Sequence, residues 1–216
     1  MDGYRVLLAD DHAIIRNGLK QMLADADDFG EVGEAANGLE TLQQVRQHDW
    51  DVLVMDISMP GRSGLDLIRQ IKDEKQGLPM LVFSMHQEEQ YAVRALHAGA
   101  AGYVTKECDC ETLLDAIRRV AAGGVYLSSR TAELMVRGAR PTPGKLPHES
   151  LSDREYQVFS YVVAGLGLTE IAKELSLSVK TISTHKTHIL AKMGFTNSSE
   201  LIRYAISHGI VGAPEV

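Results

Sequence analysis

The sequence predicts an α/β fold, a doubly wound five-stranded parallel sheet, followed by a small all-α domain. Three observations predict it: short β-branched runs alternate with stretches of helical spacing, a proline-rich break follows, and beyond the break the strand pattern vanishes. The runs cover residues 5–9, 31–35, 51–55, 80–84 and 102–105. Strands that alternate with helices are joined by crossovers, and crossovers give parallel pairing.

Each element has its own signal. The first run, Arg5-Val6-Leu7-Leu8-Ala9, is followed by Ile14, Ile15, Gly18, Leu19, Met22 and Leu23, whose spacing of three and four residues is that of a helix packed on a sheet. Leu65, Leu67, Ile68 and Ile71 repeat the pattern between the third and fourth runs. The stretch 139–150, "ARPTPGKLPHES", holds Pro141, Pro143 and Pro147, half of the chain's six prolines. Proline fixes φ and lacks an amide hydrogen, so this stretch reads as an interdomain linker. The expected division is a first domain over 1–127, a linker over 128–149 with room for a short helix, and a second domain over 150–216. In that second domain Ser152-Asp153-Arg154-Glu155 has capping-box spacing, with Leu151 and Tyr156 as the hydrophobic staple. Val158, Phe159, Val162 and Val163 then form an apolar stripe that ends at Gly165.

Composition narrows the function classes. At 216 residues and 44% hydrophobic content the chain has material for real cores. No apolar run reaches the roughly 18 residues of a transmembrane helix, and the N-terminus lacks a signal-peptide pattern, so the expected location is cytoplasmic with no membrane partner. The formal net charge of −7 is unevenly placed. Residues 1–140 hold 15 Lys+Arg against 22 Asp+Glu, whereas residues 141–216 hold seven of each. The acidity therefore does not exclude nucleic acid as a partner of the second domain. Cys108 and Cys110, one residue apart, suit neither a structural disulfide nor a zinc site and read as free thiols.

In an open parallel sheet, ligands bind at the carboxyl ends of the strands. There the sequence places Asp10 and Asp11 after the first strand, Asp56 after the third, Ser84 after the fourth and Lys106 after the fifth. Neighbouring carboxylates repel one another unless a cation neutralises them, and an oxygen-only set without a full protein cage suits Mg²⁺. An aspartate beside such a cation can attack phosphorus, while a lysine and a hydroxyl bind the phosphoryl oxygens.

This set resembles the receiver domain of bacterial two-component response regulators over residues 4–127, most specifically in "MDISMPG". The resemblance implies a flavodoxin-like receiver in which Asp56 is the phosphoacceptor and Asp10, Asp11, Asp56 and the main-chain carbonyl of Ser58 hold Mg²⁺. Ser84, Lys106 and Tyr103 become the phosphoryl-binding and switch residues, and His12 has no required role. A phosphatase of the haloacid dehalogenase type uses similar groups, but its nucleophile lies in a D-x-D motif after the first strand, where this chain reads Asp10-Asp11-His12. A phosphorylation-independent regulator, with a degenerate receiver or one responding to redox through Cys108 and Cys110, is the alternative.

The segment "EIAKELSLSVKTISTHKTHILAKMGF" reads as a short helix, a turn and a longer helix with Ser178 as its N-cap. The longer helix has three lysines, two histidines and no acid. It resembles the LuxR-type helix-turn-helix of NarL/FixJ-family response regulators over residues 148–212. The resemblance implies a recognition helix that meets double-stranded DNA through Lys180, Thr181, Ser183, Thr184, Lys186, Thr187, His188 and Lys192. Lys180 and Lys192 are expected on phosphates and the hydroxyls on base edges. His185 falls between the apolar face and this one, so core-flanking and DNA contact both remain open. The whole chain thus reads as a transcriptional regulator that is not an enzyme in its own right, phosphorylated by a histidine kinase or phosphorelay donor. It is expected to act as a homodimer when phosphorylated or bound to DNA, with Leu201, Ile202, Ala205 and Ile206 of the last helix as the candidate dimer stripe.

Overall fold

The computed structural model describes residues 3–59, 64–86, 88–139 and 146–210. The chain divides into two compact units, Met1–Ala139 and Arg140–Val216. The first contains strands β1 (Tyr4–Ala9), β2 (Phe29–Ala35), β3 (Val52–Met55), β4 (Met80–Ser84) and β5 (Gly102–Thr105). All pairings are parallel, in the order β2-β1-β3-β4-β5. Helices α1 (Ala13–Ala24), α2 (Gly38–Gln47), α3 (Gly64–Glu74), α4 (Glu88–Ala98) and α5 (Cys110–Ala121) alternate with them. This is the doubly wound sheet that the sequence predicts. β2 starts at Phe29 rather than residue 31 because Tyr4 pairs with Phe29 across the ladder.

Both faces of the central strands are covered, which is why their sequences are continuous apolar runs rather than alternating ones. Val6, Leu8, Val52, Val54, Leu81 and Phe83 pack with Leu19 and Leu23 of α1 and Leu113, Ile117 and Val120 of α5. The alternate residues Leu7, Leu53, Met55 and Met80 are equally buried, as are Leu65, Leu67, Ile68 and Ile71 of α3. Ile14, expected among the packed residues of α1, is instead 88% exposed. The row that packs runs through Ile15, Leu19, Met22 and Leu23, whereas the i, i+4 row of Ile14 and Gly18 faces open space.

Residues 129–139, assigned from sequence to the linker segment, form helix α6 (Ser129–Ala139), which packs against α4 within the first unit. Pro141 and Pro143 lie outside the described residues. The second unit opens with a 3-10 turn at Pro147–Ser150 and contains α7 (Asp153–Val163), α8 (Leu168–Glu174), α9 (Val179–Met193) and α10 (Ser198–Ser207). The capping box at α7 is complete: the Ser152 side chain accepts from the Glu155 amide, and Glu155 accepts from the Ser152 amide at 2.8 Å. Leu151 and Tyr156 beside it are both buried. Ser178 caps α9, which ends at Gly194 with φ +71°, the left-handed turn that favours glycine. Phe159, Ile171, Ile182, Ile189 and Leu201 are wholly buried. Among the described residues no helix is long and apolar enough to cross a membrane.

Gly64, the first residue of α3, is one position where a side chain has no room. A Cβ there would lie 2.4 Å from Cα and 2.5 Å from the carbonyl oxygen of Ile57, on backbone directly after Asp56. Gly64→Ala should lower the unfolding free energy by about 1–3 kcal/mol, the range for overpacking. Urea unfolding followed by fluorescence of Trp50 measures it, and a change below ~0.5 kcal/mol would show that the site relaxes freely.

Candidate functional site

The sheet order brings four strand ends to one edge. β1 and β3 are adjacent at the point where the winding reverses, and Asp10 and Asp56 are anchored there by main-chain bonds, Asp10 N–H to Ala35 at 3.1 Å and Asp56 N–H to Ala9 at 2.8 Å. Both carboxylates are almost wholly buried. The Lys106 ammonium sits between them, 2.5 Å from Asp10 Oδ2 and 2.6 Å from Asp56 Oδ2, with only 3% of its side chain exposed. Burial alone would lower the Lys106 pKa, but the Asp56 and Asp10 carboxylates more than offset it and hold the ammonium above its ordinary value. The Ser58 amide donates to Asp56 Oδ1 at 2.8 Å, orienting the carboxylate.

Asp10, Asp11, His12 and Asp56 each offer a ligand atom, all within 4.8 Å of one another. Three carboxylates at this spacing fit a hard divalent cation. The His12 imidazole reaches 3.1 Å from both Asp10 Oδ1 and Asp11 Oδ1, and its amide donates to Asp10 at 2.7 Å. One contributor was missed from sequence. Arg16, one turn into α1, donates to the Asp10 carbonyl at 2.6 Å and pairs with Glu34 at 3.2 Å, tying β1 to β2 behind the site. Nothing in its spacing signals this.

Ser84 is fully buried, and its hydroxyl accepts weakly from the His86 amide at 3.4 Å. The Tyr103 ring is also fully buried, and its hydroxyl donates to the His86 carbonyl at 2.7 Å. Burial pushes the Tyr103 pKa well up, so the phenol stays protonated. The His86 imidazole is held below its ordinary pKa by burial, with Asp56 opposing and Lys106 adding to that shift. Cys108 is half-buried, and burial followed by the Asp109 charge raises its thiol pKa, which disfavours the reactive thiolate.

In the second unit, α9 turns Ile182, Ile189 and Met193 into the core. Lys180, Ser183, Thr184, Thr187 and His188 are exposed together on the other face, with Lys186 and Thr181 partly covered beside them. The Thr184 and Thr187 hydroxyls donate to the carbonyls of Lys180 and Ser183, each at 3.0 Å, which leaves their oxygens free to act as acceptors. Lys192, further along α9, is exposed as well. Its ammonium lies 2.6 Å from Glu155 Oε2, the same buried oxygen that completes the capping box of α7. His185 flanks the core, its Nδ1 buried without a hydrogen-bond partner among the described residues. Burial, then the Arg154 charge, holds its pKa down. In α10, Leu201 and Ala205 are consumed by the unit's own core, while Ile206 is 42% exposed.

The response regulator receiver domain model matches residues 6–118, and the model of bacterial regulatory proteins of the luxR family matches residues 149–205. Among curated proteins, the oxygen regulatory protein NreC of Staphylococcus carnosus is 36% identical, covering 94% of this chain and 96% of that protein. The response regulator GacA of Pseudomonas viridiflava is 36% identical over 97% and 98%. The chain belongs to the NarL/FixJ family of response regulators. Two solved structures of RcsB from Salmonella are similar over most of its length. One, an RcsB response regulator studied for conformational dynamism in DNA interaction, shares 29% identity at a TM-score of 0.69, covering 96% and 98% of the two chains. The other, bound to the promoter P1flhDC in the presence of phosphomimetic BeF3⁻, shares 30% identity at a TM-score of 0.65, covering 95% and 100%. A receiver joined to a LuxR-type DNA-binding domain makes this response regulator a two-component transcriptional regulator.

The Lys192–Glu155 pair gives a pH-dependent prediction. Burial raises the Glu155 pKa, but Lys192 and the Ser152 bonds more than offset it, so the folded value is depressed. A depressed carboxylate stabilises the fold above its unfolded value, near pH 4.3, and that contribution is lost as pH falls through the folded pKa. Lys192→Met should therefore cost the second unit about 1–2 kcal/mol at pH 7 and progressively less below pH ~4, in thermal unfolding followed by circular dichroism. An equal cost at both ends of the range would remove Glu155 as the cause.

Proposed function

We propose that Asp56 is the phosphoacceptor through which a partner histidine kinase or phosphorelay donor switches DNA binding by the second unit. The placement of the Lys106 ammonium between two buried carboxylates at the switch point of the sheet carries this reading. An Asp56 oxygen attacks the phosphorus of a phosphohistidine; a P–O bond forms, the P–N bond breaks, and the leaving imidazole takes a proton. Lys106 follows the charge onto a phosphoryl oxygen, and the Ser84 hydroxyl donates to another. Mg²⁺, held by Asp10, Asp11, Asp56 and the main-chain carbonyl of Ser58, supplies neutralisation of the phosphoryl charge when bound. Tyr103 is the second switch residue. Beyond its own phosphotransfer and dephosphorylation the chain needs no further catalytic activity.

In the second unit, Ser183, Thr184, Lys186, Thr187 and His188 read base edges in the major groove, with Lys180 on a phosphate and Thr181 at the N-terminal end of the reading helix. Lys192, whose side chain is 44% exposed while it pairs with Glu155, meets a second phosphate. The protein works in the cytoplasm on double-stranded DNA as a homodimer. A dimer surface on α10 would use Ile202 and Ile206, since Leu201 and Ala205 are already enclosed. The RcsB complex with a promoter in the presence of phosphomimetic BeF3⁻ supports the coupling of the two activities.

Acetyl phosphate should label Asp56 in wild type only with Mg²⁺, and Asp11→Ala should abolish the labelling while the second unit keeps its helical circular dichroism. Asp56→Asn should remove both the labelling and the donor-dependent rise in affinity for a DNA duplex selected from a random pool by the wild-type chain. Equal affinity of wild type and Asp56→Asn with phosphodonor present would overturn the switch. Lys180→Ala should weaken binding to all duplexes alike and reduce the salt slope by about one, whereas Thr187→Ala should change sequence preference by about 1–3 kcal/mol at one base pair.

A further inference from the structure

α6 takes its N-terminal anion from another helix. Ser128 stands at its cap: the Ala132 amide donates to the Ser128 carbonyl at 3.0 Å and the Thr131 amide to the Ser128 hydroxyl at 3.0 Å. Helix N-termini favour a carboxylate, and α2, α7 and α10 carry their own in Glu40, Glu155 and Glu200. The first turn of α6 has none. Its place is filled by Glu88, the first residue of α4, whose Oε2 accepts from the Ser128 hydroxyl and from the Thr131 hydroxyl at 2.6 Å. Thr131 is wholly buried, so this bond has no water to replace it.

Glu88 also lies two residues past His86. The turn at His86 is tied to both switch side chains, through its amide to Ser84 and through its carbonyl to Tyr103. At its other end α6 finishes at Ala139, where the first unit gives way to the second. The three groups therefore stand between the residues that sense the phosphoryl group and the tether that leads to the DNA-binding unit.

We propose that Glu88, with Ser128 and Thr131, is a latch that docks α6 on α4 in the unphosphorylated receiver and opens when the switch moves. The proposal rests on the phosphoacceptor reading of Asp56. As Ser84 shifts toward a phosphoryl oxygen, the turn at His86 draws Glu88 away from Ser128 and Thr131. The start of α6 then loses its anion and its buried partner, and the helix frays. Glu88 is thus a positioning residue for the output.

Amide hydrogen exchange across residues 129–139 of the full chain tests this. Beryllofluoride with Mg²⁺ should raise exchange there roughly tenfold, as expected for loss of one helix cap. Glu88→Ala and the near-isosteric Thr131→Val should each show that faster exchange without beryllofluoride, and both should still label at Asp56. In both, beryllofluoride should no longer change affinity for the selected duplex. Unchanged exchange in both variants, or a wild-type ratio of DNA affinities with and without beryllofluoride, would overturn the latch. If wild-type Asp56 does not label at all, the phosphoacceptor reading fails, and the exchange of the two variants still decides whether Glu88 caps α6. Glu88→Gln, which keeps an acceptor oxygen, should fall between wild type and Glu88→Ala; exchange no slower than in Glu88→Ala would count against the hydrogen-bonded latch.

Discussion

Two buried carboxylates, Asp10 and Asp56, share one ammonium at the carboxyl edge of the sheet, and much of the first unit is arranged to make that possible. Removing charged groups from water costs several kcal/mol per ion, and attraction at short range recovers this only with close geometry. Lys106 supplies the geometry at 2.5 and 2.6 Å. The arrangement is a poor way to gain stability and a good way to hold a site ready for charge: a group that withdraws the ammonium or replaces it changes the balance at once. The His12 amide on Asp10 and the Ser58 amide on Asp56 restrain the carboxylates so that the balance is set by charge rather than by rotamer.

The parallel sheet is what brings these groups together. In the order β2-β1-β3-β4-β5 the ends of β1 and β3 are neighbours and those of β4 and β5 follow on the same edge. Residues 96 and 50 positions apart in the chain thereby meet on one ammonium. The same order places Ser84 and Tyr103 on adjacent strands, where both touch the backbone of His86. The second unit repeats the theme with one carboxylate. Glu155 closes the capping box of α7 and also holds Lys192 of α9, so the start of one helix and the end of another depend on a single oxygen.

Much of this was legible in the sequence because its causes are local. The runs at 80–84 and 102–105 match β4 and β5 to the residue, since burial on both faces demands unbroken apolar stretches. The capping box at Ser152, the cap at Ser178 and the apolar faces of α7 and α9 depend on residues within one or two turns. The carboxylates, hydroxyl and lysine of the candidate site stand at the carboxyl ends of the strands, so locating them needs only the strand boundaries. Other features left no such trace. Ile14 fits the helical repeat of α1 yet faces solvent, because which of two adjacent rows packs is decided by the angle at which the helix meets the sheet. Lys192 reads on a helical wheel as an open cation, and its pairing with a carboxylate 37 residues away leaves no trace there. Arg16 and Glu88 carry no local signal, since their partners lie on other elements.

By itself the sequence determined the two-part architecture, the strand ends and the chemistry assembled on them, because periodicity, caps and strand boundaries are written in neighbouring residues. Only the tertiary structure decided which charges are already paired, which half of the α10 stripe is used up inside its own unit, and that α6 belongs with the first unit rather than with a loose linker. Those outcomes depend on pairs brought together from distant points of the chain, where a buried polar group takes whichever partner the packing delivers.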